Sequence, residues 1–247
     1  MSMPDGMWPL TLLIFVFAGS IKGLVGVGMP TAAVSIFAQI ADPRLAIALL
    51  IIPSLALNIW QIIRSGQLSA TVRQIWPFCL VMMFGIWYFA RFAAGLAVGS
   101  ILIGVGIVIV IFVISNLVKP PRIAPAFDIP AQLGFGSIAG LMGGLTGIWS
   151  PAVVSYLLAT EADREKYLAA TGILILMGSS MLMVGYWQGG LLSTELAGQS
   201  ALMVIPTLLG FAIGEWLRRT IGSEHFRSMV LIVFFLMGLN LIRRGLT

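Results

Sequence analysis

Lys22 is the residue with the most unusual chemistry available to it. It is the one charged side chain in the apolar run from residue 8 to residue 40. An ammonium group in hydrocarbon costs about 2.5–3.5 kcal/mol on insertion scales, so such a group faces a cavity, a partner or a substrate. Snorkelling along the aliphatic stem is the competing explanation. A helix that begins near residue 7 puts Lys22 about 22 Å along its length, which makes that route back to the interface hard. The chemistry implied is capture of an anion.

The residues around Lys22 are ones that interrupt helices, and they occur twice. Residues 19–26 read Gly-Ser-Ile-Lys-Gly-Leu-Val-Gly and residues 136–143 read Gly-Ser-Ile-Ala-Gly-Leu-Met-Gly, with six of the eight positions identical. Gly28 and Pro30 follow the first copy; Gly144, Gly147 and Pro151 follow the second. Paired Gly/Pro interruptions in two halves of a membrane protein point to a substrate site built from broken helices. Half-helix N-termini at such breaks present backbone N–H groups and a dipole that favour an anion. The candidate binding set is therefore Lys22, Gly23, Gly26, Gly28, Pro30 and Thr31 from the first copy, and Gly143, Gly144, Thr146, Gly147, Ser150 and Pro151 from the second. Asn58 and Ser179, polar residues within apolar spans, complete it. Glycines spaced as Gly136, Gly140 and Gly144 also serve close helix packing, and the two uses are compatible. Aligning the copies sets Ala139 opposite Lys22, so the pair is unequal in charge.

Other chemistries are poorly served. The one cysteine, Cys79, and the one histidine, His225, cannot alone build a zinc, haem or iron–sulfur site. No metal and no cofactor is expected. Ser150 has no mid-span His or Lys in its own segment to act as a base, so an intramembrane enzyme is not the expectation. Asp and Glu are missing from the span centres, with Glu195 and Glu215 near span ends. That counts against a carboxylate proton relay in the core and leaves the coupling ion, proton or sodium, open. Asn116 and Asn240 read as interhelical hydrogen-bonding groups.

The elements that hold these residues follow from composition. Apolar residues make up 59% of the chain and charged residues 9%, against ~45–50% and ~25% in soluble domains. A water-facing surface cannot be built from so little charge, so the chain is an all-α polytopic membrane protein. The apolar runs are continuous rather than alternating, which argues against a β-barrel. The net charge of +5 comes from basic residues lying mostly between spans, which reads as membrane topology and not nucleic-acid binding.

The apolar segments run roughly over 8–40, 45–63, 74–90, 98–118, 130–160, 167–187, 197–217 and 228–242. A proline-rich linker over 119–130 divides an N-terminal repeat, 1–118, from a C-terminal repeat, 131–247. Residues 8–40 as one straight helix would be about 50 Å long, against a hydrocarbon core of about 30 Å. Each such segment is therefore expected to enter, break and return as a hairpin. That arrangement puts Arg64, Arg73, Lys119, Arg122, Arg164, Lys166, Arg218, Arg219 and Arg227 on one side, and Arg44, Arg91, Arg243 and Arg244 on the other. Single crossings would give no such bias, and positive charge gathers on the cytoplasmic side. The expected fold is two inverted repeats, each a broken Gly/Pro helical hairpin plus three transmembrane helices, with both termini extracytoplasmic and the two hairpins meeting near the midplane.

The run from Lys22 to Pro30, its echo from Gly140 to Gly147 with Ser150 and Pro151, the chain length and the twofold hydropathy together resemble the sulfite exporter TauE/SafE family. The likeness covers essentially the whole chain. It implies about eight membrane spans in a cell inner membrane and a secondary transporter working by alternating access. Small sulfur-containing anions (sulfite, thiosulfate or short organosulfonates) are the implied substrates, with the duplicated Gly/Pro segments as the substrate region. An anion channel of the same fold and a non-transporting membrane assembly partner are the alternatives, and a homo-oligomer is compatible with all three. The second copy carries extra residues between Gly143 and Pro151, so the two are not equivalent.

Overall fold

The computed structural model describes residues 5–65, 68–118, 120–220 and 223–247. Lys119, counted in the linker and in the charge tally, and the side chains of Arg64, Arg164, Arg219, His225 and Arg227 lie outside the described residues. Every regular element among the described residues is helical. The first half holds α1 (Trp8–Val25), α2 (Met29–Phe37), α3 (Pro43–Ser65), α4 (Leu68–Ala90) and α5 (Val98–Leu117). The second half holds α6 (Asp128–Thr146), α7 (Ser150–Ala159), α8 (Arg164–Gln188), α9 (Thr194–Leu202), α10 (Val204–Thr220) and α11 (Ser223–Leu246). Helix α6 thus starts inside the stretch expected to be linker.

Seven helical segments among the described residues are long and apolar enough to cross a membrane. The chain is a multi-pass membrane protein. Helix α6 is 19 residues long and is not one of the seven; Asp128, Gln132 and its glycines dilute its apolar character.

Both long segments are broken. Helix α1 ends where Gly26 and Gly28 take φ of +91° and +96°, and α6 ends where Gly147 takes φ of +69°. A side chain would be strained there, and glycine is not. Each following short helix has proline in its first turn, Pro30 in α2 and Pro151 in α7, where the missing donor is not needed.

Hydrogen bonds identify the two ends of the bundle. At one end Arg44 donates to the carbonyls of Ala93, at 3.1 Å, and of Leu96. Arg244 donates to those of Ala38 and Gln39 at 2.9 and 2.7 Å. The exit of α2, the start of α3, the end of α4 and the end of α11 therefore lie together. At the other end the Ile123 N–H donates to Ala159 O at 2.9 Å, and the Tyr156 hydroxyl donates to Asp128 at 2.8 Å. The start of α6 and the end of α7 are thus side by side, so this segment doubles back. Helix α1 runs alongside and parallel to α10, with Gly19 against Thr207 and Phe211, and Gly23 against Phe211 and Glu215. It descends from the first end, and α2 returns there. The two hairpins enter from opposite ends.

Each hairpin packs chiefly on the other half, α1 on α10 and α6 on α4. The approach is close because glycine faces backbone. A Cβ on Gly210 would run into the carbonyl of Val16, one on Gly214 into that of Ser20, and one on Gly85 would lie 2.8 Å from Gly140 Cα. Helices of the two halves also pair antiparallel. In α3 and α8, Gln61 reaches Leu168 O at 2.7 Å while Ser54 meets Ser179 at 3.0 Å. In α5 and α11, Gly99 opposes Gly245 and Gly106 opposes Gly238.

Pro53 lies inside α3 and has no N–H to give to the carbonyl of Leu49. The Ser200 hydroxyl takes that carbonyl at 2.8 Å, tying α9 to the middle of α3. Asn240 reaches across to Gln39 at 2.6 Å, whereas Asn116 bonds Phe112 O in its own helix at 2.8 Å.

Candidate functional site

Small residues bring α1 and α10 together, and Lys22 sits at that contact. It is only 2% exposed. Its ammonium donates to Asn58 Oδ1 on α3 at 2.5 Å. Asn58 Nδ2 in turn donates to Ser54 O at 2.6 Å, and the Ser54 hydroxyl meets that of Ser179 on α8 at 3.0 Å. A strip of buried polar groups therefore runs from the first hairpin across the α3–α8 seam. Buried polar groups need such partners, because an unmet donor or acceptor in a low-dielectric interior is costly.

Beside Lys22 is a cavity of about 240 Å³, bordered also by Gly23, Gly26, Gln61, Glu215 and Arg218, with Trp60 and Phe211 as aromatic walls. It lies at the level where α1, α3 and α10 approach the second end of the bundle. A water occupies about 30 Å³, so the space admits a small anion with part of its hydration shell. Arg218 Nη2 stands 3.9 Å from Glu215 Oε1, with side chains 33% and 25% exposed. The cavity thus offers a buried ammonium at its inner wall and a guanidinium near its mouth.

The structure sorts the candidate residues into two groups. Lys22, Gly23 and Gly26 border the cavity; Asn58 and Ser179 stand behind Lys22. Gly28, Pro30 and Thr31 form the turn into α2, where Thr31 Oγ1 is buried with no hydrogen-bond partner among the described residues. The second-hairpin residues are elsewhere. A Cβ on Gly147 would lie 2.9 Å from Ile47, eleven residues from Asn58 on α3 and so about 16 Å along that helix. The hairpin tips do not meet near the midplane, because each hairpin reaches most of the way across the bundle.

In the second hairpin the polar groups are largely spent. Thr146 Oγ1 donates to Met142 O at 2.6 Å and accepts the Ile148 N–H at 3.3 Å. Gly140 and Gly144 serve packing against Gly85 and against Phe89 and Ala90. Ser150 and Pro151 begin α7, with Ser150 only 2% exposed. A Cβ on Gly143 would lie 2.9 Å from the Trp149 ring, and one on Gly178 2.7 Å from it. Trp149 is 1% exposed and its indole N–H has no hydrogen-bond partner among the described residues.

The register of the repeat also differs from the sequence alignment. The structural counterpart of Gly26 is Gly147, one helical turn beyond Gly143, and Pro30 then matches Pro151. Lys22, four residues before its break, therefore matches Gly143 and not Ala139. Asn58 and Ser179, each the sixteenth residue of its helix, become counterparts as well.

Sequence reasoning missed Trp149, Arg218 and Glu215. The available signal was the spacing Gly19-x-x-x-Gly23 and Gly210-x-x-x-Gly214, which marks two helices able to touch and so brings the end of α10 to Lys22.

A family model described as Sulfite exporter TauE/SafE matches residues 11–241. No curated protein and no solved structure matched the chain.

Proposed function

Because the chain belongs to the sulfite exporter TauE/SafE family, we propose that it is a secondary transporter of small sulfur-containing anions. Sulfite, thiosulfate and short organosulfonates are the substrates proposed, and the Lys22 cavity is their site. The observation that carries this reading is a fully buried ammonium, held by Asn58, facing a cavity. A charge kept at that depth is expensive, and a passing anion offsets the expense. Lys22 supplies the charge, Gln61 and the turn at Gly26 supply polar contacts, and Arg218 attracts anions at the mouth.

The halves act as inverted repeats, and the substrate crosses by alternating access. Antiparallel packing of α3 on α8 and of α5 on α11, and hairpins entering from opposite ends, support this. Equivalent helices related by a twofold axis in the membrane plane must run antiparallel. The end carrying Arg73, Arg122, Lys166 and Arg218 is cytoplasmic by the distribution of positive charge. Both termini are then extracytoplasmic, in a cell inner membrane, and the cavity opens inward.

The test is a thermal-shift series on the purified protein with sulfite, thiosulfate, a short sulfonate and a carboxylate control. Selective stabilisation by the sulfur anions, absent in Lys22→Ala, is the expected outcome, since a ligand that binds the folded form raises its stability. Equal shifts with the carboxylate would remove the substrate class; an unchanged shift in Lys22→Ala would remove the site.

A further inference from the structure

We propose that Glu215 carries a proton together with the transported anion, so that the coupling ion is H⁺; this rests on the Lys22 cavity being the substrate site. Glu215 borders the same cavity as Lys22 and Arg218. Helix contact puts it there, since a Cβ on Gly23 would lie 2.9 Å from the Glu215 backbone nitrogen. Among the described residues, the charged groups at this cavity are Lys22 from α1, and Glu215 and Arg218 from α10. The α3 and α8 walls contribute Trp60, Gln61 and Leu168, none of which titrates.

A carboxylate works against an anion in the same cavity unless it is neutral when the anion is present. In the empty site the Glu215 carboxyl stands 3.9 Å from the Arg218 guanidinium. Once an anion shares the two cations, the like charge beside Glu215 favours its protonated form. The proton comes from water at the open end, and the new carboxyl O–H becomes a donor to the anion. When the anion leaves at the other side, the carboxyl loses its reason to stay neutral and returns the proton to water there. Anion and proton each raise the other's affinity, as linkage requires. Glu215 escapes notice in the sequence because it lies near a span end; the cavity lies near that end too.

The experiment uses the full chain in liposomes with thiosulfate, which does not itself take up protons near neutral pH. In the wild type, thiosulfate entry carries protons that a trapped pH dye records, and an imposed pH gradient drives thiosulfate accumulation. In Glu215→Gln, thiosulfate still exchanges at equal pH, at an altered rate, while gradient-driven accumulation falls by about tenfold or more and the dye signal vanishes. Wild-type exchange without proton movement, or a Glu215→Gln protein that keeps it, overturns the proposal and leaves the substrate reading standing. No exchange and no thermal stabilisation by thiosulfate or sulfite in the wild type overturns both. Should Glu215→Gln not fold, Glu215→Asp decides: a shifted pH profile of uptake supports the role, and an unchanged one ends it.

Discussion

Four residues before its break, the first hairpin carries Lys22; four residues before its break, the second carries Gly143. Around Lys22 the neighbours are Asn58, Gln61 and an open cavity. Around Gly143 they are Ile86 and the indole of Trp149. The scaffolds agree in helix order, in left-handed glycine at the break and in proline after it. What differs is whether the space beside the break is left open and polar or filled by a ring. A duplicated scaffold can thus leave one copy beside an open cavity and fill the matching space in the other with a ring.

The hardest way to break this comparison is Gly143→Lys. The new side chain meets Trp149 and Ile86 and buries a charge with no acceptor like Asn58. The combined cost is at least about 4 kcal/mol, so little folded protein is expected in a detergent size-exclusion profile. A stable, transporting variant would mean that the two hairpins are interchangeable. Trp149→Ala comes next. Emptying a tryptophan-sized space costs about 3–5 kcal/mol, read as a large fall in melting temperature, whereas an unchanged melting temperature would mean that the ring seals nothing.

The counterparts Asn58 and Ser179 sharpen the contrast. Asn58→Ala leaves the Lys22 ammonium without its acceptor and loses a bond to a charged group, about 1.5–3 kcal/mol. Ser179→Ala loses one hydroxyl contact, about 0.6 kcal/mol between membrane helices. Chemical denaturation of the two variants side by side should show the larger loss for Asn58→Ala, with thiosulfate binding weakened only there. Equal losses would argue that the polar strip is uniform. Trp149→Phe is the mildest change. It removes an indole N–H that has no partner among the described residues and keeps an aromatic ring, so stability moves by less than about 1 kcal/mol and transport persists.

Much of the fold was legible residue by residue. Gly26, Gly28 and Gly147 adopt backbone angles that their neighbours avoid, and Pro30 and Pro151 mark helix starts, so the breaks were readable. The fault was one of register. Matching letters paired Gly26 with Gly143, but the helix runs on one more turn to Gly147, because Gly143 is consumed in packing against Trp149. Similarity of residues does not say which of several glycines will bend. Asn58 and Ser179 were picked out as polar residues in apolar spans without any sign of what they face; the pairing of α1, α3 and α8 supplies that.

Composition and local chemistry by themselves determined that this chain lives in a membrane, that its two long segments break, and that Lys22 is a charge needing a reason. Those properties depend on solvation cost and backbone angles, which each residue carries with it. Only the tertiary structure decided that Asn58 holds Lys22, that Trp149 closes the matching space, that the hairpin tips lie apart, and that Glu215 joins the cavity. These depend on which helices touch and at what height. In this chain that is set by glycine faces meeting across 192 residues, as Gly23 meets Glu215, a distance over which no local pattern reports.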